Sequence, residues 1–320
     1  MLSLRPLWVK SDVCRGKDGM PMTYSILARD VRTGEMGVAT ESQAFAVGRS
    51  VPWAMPGFGV IATQSMGEPA YGEVGLDVLR AGLTAEEALA AVSTVDPHPE
   101  RRQVAMIDGE GKISAYTGSA CMAAAGQCIG DTCVAVANMM KTEGVWDVMV
   151  DAFERSRGPL ATRLMTALHA ADETGGDFRG KRSAAIKVVR EARSGRPWRD
   201  EVVDLRVDDH DTPVAILDGL VEKSARYNRM VSAFERALDG QAQQAAEDVD
   251  ELPVEKAEDE ADLLTWRAAI LTLAGREEEA AAALARIQRE APVFIEVFCQ
   301  LETTGLVDQA RAWERVLRSL

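Results

Sequence analysis

Short β-type runs separated by turn signals, and interrupted twice by paired helical stretches, constrain this chain more than any other feature. TYSILARDV, beginning at Thr23, is followed by the turn RTGE, then MGVATES and, after a loop, GFGVIATQS. Each run is rich in β-branched residues and alternates in polarity, as a half-buried strand does. Two helices follow, one around YGEVGLDVLRAG and one opened by Thr84 with Glu87 three residues on, the spacing of a capping box. RRQVAMID, ISAYTGS and CIGDTCVAVANMM read as three further strands, VWDVMVDAFERS and PLATRLMTALHAAD as two helices, and SAAIKVVREA and EVVDLRVDD as two last strands. A long helix begins at Thr212-Pro213, where proline suits a first helical turn. Short hairpin connections require largely antiparallel sheets, and helix pairs between strand groups supply layers to cover sheet faces. The expected class is α+β, with a four-layer helix-sheet-sheet-helix sandwich fitting this order.

Charge excludes one class of partner. The formal net charge is -14, and residues 241–264 hold nine acids against one lysine. Phosphate attraction needs a basic face, so nucleic acid is not an expected partner. The acidic stretch reads as a solvated linker or an exposed helix start. No apolar run reaches the roughly 18 residues of a membrane span, and the first residues lack a signal-peptide pattern, so no membrane partner is expected and the cytoplasm is the expected location. Cys14, Cys121, Cys128, Cys133 and Cys299 form no C-x-x-C pair, and His98, His169 and His210 are far apart, so buried thiols and no metal site are expected.

Two phosphate-loop look-alikes fail on context. GGDFRGKR, from Gly175 through Lys181, has Arg182 where a Ser or Thr should follow, and it lies between a helix and a strand. GFGVIA at Gly57–Ala62 runs into a strand with no helix N-terminus to receive a pyrophosphate.

From about residue 262 the chain is nearly all helix formers. Gly275 and Gly305 each mark a helix-turn-helix, with Ala280 and Ala310 five residues after them. This tail resembles degenerate tetratricopeptide repeats, although the 30-residue offset is shorter than the usual period of about 34. An ordinary helical hairpin is the alternative.

MTYSILARD, GVATES with FAVG, VPW, GVIATQ, PAYGEVGLDVLRAG, YTG, ANMM, GGDFRGKRSAA and LRVDDH together resemble the uncharacterised Ntn-hydrolase-like family known as domain of unknown function 1028, over about residues 22–211. The resemblance implies an Ntn αββα sandwich. It also implies a mature chain whose first residue, Thr23, attacks an amide carbonyl while its own α-amino group takes the proton. An α-amino group has a pKa of about 8, near enough to neutrality to serve as a base. Residues 1–22 would then be a leader or a mis-assigned start, with Met22 at the boundary. Asn138 would be an oxyanion donor. Asp177, Arg179 and Ser183 would position the Thr23 amine and a substrate carboxylate, with Ser42 and Gln64 as further pocket residues. A structural turn with an internal ion pair is the competing account of Asp177 and Arg179.

The expected organisation is a leader over 1–22, an Ntn-like domain over 23–222, a helix and acidic linker over 223–261, and the helical region over 262–320. The expected function is hydrolysis of a small amide or peptide-like substrate without a cofactor, the helical tail offering a surface to a protein partner or a second copy. The alternative is a non-catalytic ligand binder that recruits a partner through that tail.

Overall fold

The computed structural model describes residues 23–250, 252, 257–303 and 310–318. The expectations for residues 1–22, Cys14, Met22 and Gly305 lie outside the described residues. The chain divides into two compact units between Val221 and Glu222.

The first unit is mixed α and β, with every strand pair antiparallel. In chain order it holds β1 (Thr23–Arg29), β2 (Met36–Ser42), β3 (Pro52–Met55), β4 (Gly59–Ser65), α1 (Ala70–Arg80) and α2 (Ala85–Val95). There follow β5 (Arg102–Asp108), β6 (Ile113–Thr117), β7 (Gly126–Ile129), β8 (Cys133–Asn138), α3 (Val145–Arg155) and α4 (Leu160–Glu173). Then come β9 (Ser183–Val189), the short α5 (Pro197–Asp200), β10 (Glu201–Val207) and α6 (Pro213–Arg236), which runs on past Val221. One sheet has the order β10-β9-β2-β1-β8-β7 and the other β3-β4-β5-β6.

Alternation decides what each face of β1 meets. Tyr24, Ile26 and Ala28 pack with Met149, Phe153, Leu164 and Leu168 of α3 and α4. Leu27 points the other way and packs with Met36 and Val38 of its own sheet and with Val60, Ala62, Ala105 and Ile107 of the four-stranded sheet. The far face of that second sheet, through Ile61, Val104 and Met106, packs on Tyr71, Leu76 and Leu79 of α1 and Ala88 and Val92 of α2. Gly72 of α1 lies against the Trp53 ring so closely that a Cβ there would overlap it. The capping box of α2 forms as the sequence indicates, Thr84 Oγ1 accepting from Glu87 N while the Glu87 carboxylate accepts from Thr84 N at 2.8 Å.

Two local features differ from the sequence reading. PWAM forms a strand of its own, β3, and GQCIGDTCVAVAN is a hairpin of two strands, β7 and β8. At the end of β1, Arg29 reaches Glu191 at 2.5 Å, and Asp30 accepts from Arg32 at 3.1 Å.

The second unit is helical. Beyond Val221, α6 is followed by a π-helical kink at Ala237–Gln241, α7 (Ala242–Asp250), α8 (Ala257–Leu273), α9 (Glu277–Glu290), α10 (Val293–Thr303) and α11 (Ala310–Arg318). The acidic segment contributes α7, which buries Ala245, Ala246 and Val249 and turns its acids outward. Gly275, at a positive φ of 74°, separates α8 from α9. Trp313 stacks on Phe298 in this unit's core, with centroids 4.5 Å apart. Among the described residues no helix is long and apolar enough to cross a membrane.

Candidate functional site

The face of β1 that carries Leu27 also carries Ser25 and Thr23, so the apolar layer between the sheets becomes polar toward the Thr23 end. Register extends this across the six-stranded sheet. Thr23 stands opposite Asn138 on β8, and Ser42 opposite Ser183 on β9. Because Tyr24 pairs with Glu41, Thr23 lies beside Ser42. One row of four strands therefore reads Ser183, Ser42, Thr23, Asn138. On the facing sheet, Gln64, Gln103 and Thr117 form a second row.

The rows are joined by hydrogen bonds. Thr23 is 1% exposed, and its hydroxyl donates to Ser42 Oγ at 3.2 Å. Its carbonyl accepts from Gln64 Nε2 at 2.9 Å and from Asn138 Nδ2 at 3.3 Å. Gln103 is the hub: its Oε1 accepts from Gln64 Nε2 at 2.8 Å and from Asn138 Nδ2 at 2.9 Å. Its Nε2 lies 2.9 Å from Ala137 O, and 3.0 Å from both Gly126 O and Thr117 Oγ1. Ser25 Oγ lies 2.6 Å from Gln64 Oε1 and 2.9 Å from Thr40 Oγ1. Asn138 Oδ1 is buried and has no partner. A buried unpaired acceptor is costly, on the order of 1–3 kcal/mol, and calls for an explanation.

Backbone strain gathers at the same end. Among the described residues three non-glycine positions have positive φ: Ala46 at 55°, Ser65 at 69° and Met139 at 56°. Ser65 directly follows Gln64, and Met139 directly follows Asn138. Each such residue costs on the order of 1 kcal/mol and persists only where its surroundings over-determine it, as binding and catalytic sites do. Ala46 lies in the loop after β2, where Ser183 Oγ donates to Ala44 O at 2.6 Å and accepts from Val47 N at 2.9 Å.

Ser42, Gln64 and Asn138 thus each contact Thr23, while Ser183 shares its row but holds the neighbouring loop. Asn138 Nδ2 is occupied by Thr23 O and Gln103 Oε1, so what this side chain offers is the acceptor Oδ1. Asp177 pairs with Arg179 at 3.0 Å and accepts from Arg179 N at 2.8 Å and Gln43 N at 3.2 Å. That is a turn closed by an internal ion pair, tied to the residue after Ser42. Lys181, the lysine of the phosphate-loop look-alike, is held by Asp172 at 2.7 Å.

Sequence reasoning missed Gln103, Ser25, Thr40 and Thr117, and also Glu41, which lies on the opposite face of β2. Glu41 is fully buried, and both its carboxylate oxygens lack a partner. Burial, and then the charges of Asp177 and Asp172, raise its pKa well above the usual carboxylate range. The thiols near the six-stranded sheet are quiet: burial pushes Cys133 up to about 12 and Cys128 up to about 11.

The family model described as a family of unknown function, DUF1028, matches residues 23–217. A crystal structure of a Silicibacter pomeroyi protein of that family aligns with a TM-score of 0.57 and 33% identity, covering 63% of this chain and 89% of that one. No curated protein matches the chain.

Proposed function

The chain belongs to the DUF1028 family, and from that membership together with the polar layer we propose that it is an N-terminal-nucleophile amidohydrolase built on the αββα sandwich, with Thr23 as nucleophile. The observation that carries this reading is the Thr23 hydroxyl at the first position of a central strand, hydrogen-bonded to Ser42 inside a polar layer between two sheets. The strained residues after Gln64 and Asn138 support it.

In this reading the Met22–Thr23 peptide bond is hydrolysed, and Thr23 N becomes a free amine. Asn138 Oδ1, an orphan acceptor on the residue paired with Thr23, gains a donor from that amine. The amine takes the Thr23 Oγ1 proton as Oγ1 bonds to the substrate carbonyl carbon. When the tetrahedral intermediate collapses, the C–N bond breaks, the ammonium protonates the leaving nitrogen, and an ester to Thr23 remains. Water, deprotonated by the same amine, then attacks the ester; the acid leaves, and Oγ1 recovers its proton. Ser42 orients Oγ1, Gln64 and Asn138 hold the Thr23 carbonyl, and Gln103 holds those two amides in place. All these groups are protein groups, and the substrate is a small amide or peptide-like molecule.

The experiment is intact mass of protein made from its native gene, followed by labelling with an amide-directed electrophile. A chain beginning at Thr23 that gains one label, lost in Thr23→Ala and retained in Thr23→Ser, is the expected result. A stable chain still carrying residues 1–22, or labelling unchanged in Thr23→Ala, excludes this chemistry and leaves the ligand-binding alternative.

A further inference from the structure

Directly behind the Thr23 row, on the helix-facing side of the six-stranded sheet, Glu41 is a buried carboxyl group with no hydrogen-bond donor. From β1 comes Tyr24, whose hydroxyl donates to Asp172 Oδ1 at 2.6 Å. From α4 comes Asp172 itself, which also holds Lys181. The segment 175–182 supplies Lys181 and Asp177, the latter paired with Arg179. On β9 the residue opposite Glu41 is Ala184, which brings no charge. Lys181 is held by Asp172 and Arg179 by Asp177, so an ionised Glu41 would be a third carboxylate sharing the Lys181 charge with Asp172. Among the described residues no three acid, histidine or cysteine side chains converge to hold a metal in its place.

The segment 175–182 borders the Thr23 row. Asp177 bridges to Met140, two residues past Asn138, and accepts from Gln43 N, one residue past Ser42. Gly176 O accepts from Lys141 N at 3.1 Å. Gly175, Gly176 and Gly180 all have positive φ, so the segment bends at positions where side chains are disfavoured.

We propose that a protonated Glu41 is the catch that keeps the 175–182 segment closed against the Thr23 end of the sheet, and that loss of this proton opens it. Ionisation places a third negative charge beside Asp172 and Asp177 with Lys181 already held by Asp172, and the relief available is movement of the segment, which admits water to Glu41. The sign follows from proton linkage. The closed state holds the proton to higher pH than an open, hydrated Glu41 does, so opening is favoured progressively from the ordinary carboxyl range upward. It levels off once the closed-state carboxyl has itself ionised. The device does not depend on Thr23 being a nucleophile.

The test is hydrogen exchange of residues 175–182 in the full chain from about pH 4.5 to about pH 9, expressed as protection factors so that intrinsic exchange chemistry cancels. In the wild type, protection falls with rising pH by up to about tenfold per pH unit and then levels. Glu41→Gln, which imitates the neutral acid, shows no fall. Asp172→Asn, which removes a neighbouring negative charge, shows a smaller fall that levels at lower pH. Protection independent of pH in the wild type, or the same fall in Glu41→Gln, overturns the proposal. Should Glu41→Gln not fold, the Asp172→Asn profile and the infrared band of a protonated carboxyl in the wild type decide: an unshifted profile or a missing band overturns it equally.

Discussion

Gln103 holds the polar layer together, and its removal tests how much that layer contributes. Gln103→Leu takes the acceptor away from Gln64 and Asn138 and the donor away from Ala137 O and Gly126 O, in a place water does not reach. Stranding several buried polar groups at once should lower stability by about 3 kcal/mol, read as a lower urea midpoint at unchanged slope. No more than a few tenths lost would mean that the network is hydrated. Gln103 was invisible in the sequence for a physical reason. In RRQVAMID it alternates with apolar residues just as a solvent-facing strand residue would, and one strand carries no information about whether a second sheet covers that face. Glu41 was hidden in the same way, since the helices that bury it come more than a hundred residues later. That Thr23, Ser42, Gln64 and Asn138 form one polar cluster could be read ahead because they stand at or beside strand ends inside the resembling motifs.

Between α2 and β5, a single ion pair ties two elements that the sequence defines separately. Asp96 is the residue after the last turn of α2, and Arg102 opens β5. The Arg102 guanidinium, 2.8 Å away, together with the His98 amide and the Tyr71 hydroxyl, holds the Asp96 carboxyl down at about 2 against the pull of burial. A carboxyl with a depressed folded-state pKa contributes stability that is complete above its unfolded value, about 3.9, and is lost as pH falls toward about 2. Arg102→Met should therefore lower stability at neutral pH and flatten the loss seen on acidification below about pH 4, measured by urea unfolding across that range. An unchanged acid slope would show that other carboxylates dominate it. At this scale the long runs declared themselves through alternation and capping. The elements that escaped were short: β3 has four residues and opens on Pro52, an edge-strand residue that breaks the usual pattern, and the Gly130-Asp131 turn hides within the apolar run of β7 and β8. Of the two readings of the acidic segment, linker or exposed helix start, it forms a helix, and its charge on one face says nothing about Ala245, Ala246 and Val249 on the other.

The two units have separate apolar cores, one set built on sheets and the other on helices alone, and this should be visible when the whole chain unfolds. A protein with two cores need not melt as one, so the calorimetric enthalpy should exceed the van't Hoff enthalpy of the full-length chain. Two substitutions assign the transitions. Gly72→Ala forces a methyl group into the Trp53 ring in the first unit and should cost about 1–3 kcal/mol. Trp313→Ala empties the stacking site beside Phe298 in the second and should cost about 3–5 kcal/mol. Each is expected to lower one transition and leave the other within the scatter of the measurement. If both substitutions lower a single shared transition, α6, which continues through Val221 and Glu222 without a break, couples the two cores, and stability has to be treated as a property of the whole chain. Comparing the two variants distinguishes these cases even if the wild-type transitions overlap, because independent cores separate when either one is weakened.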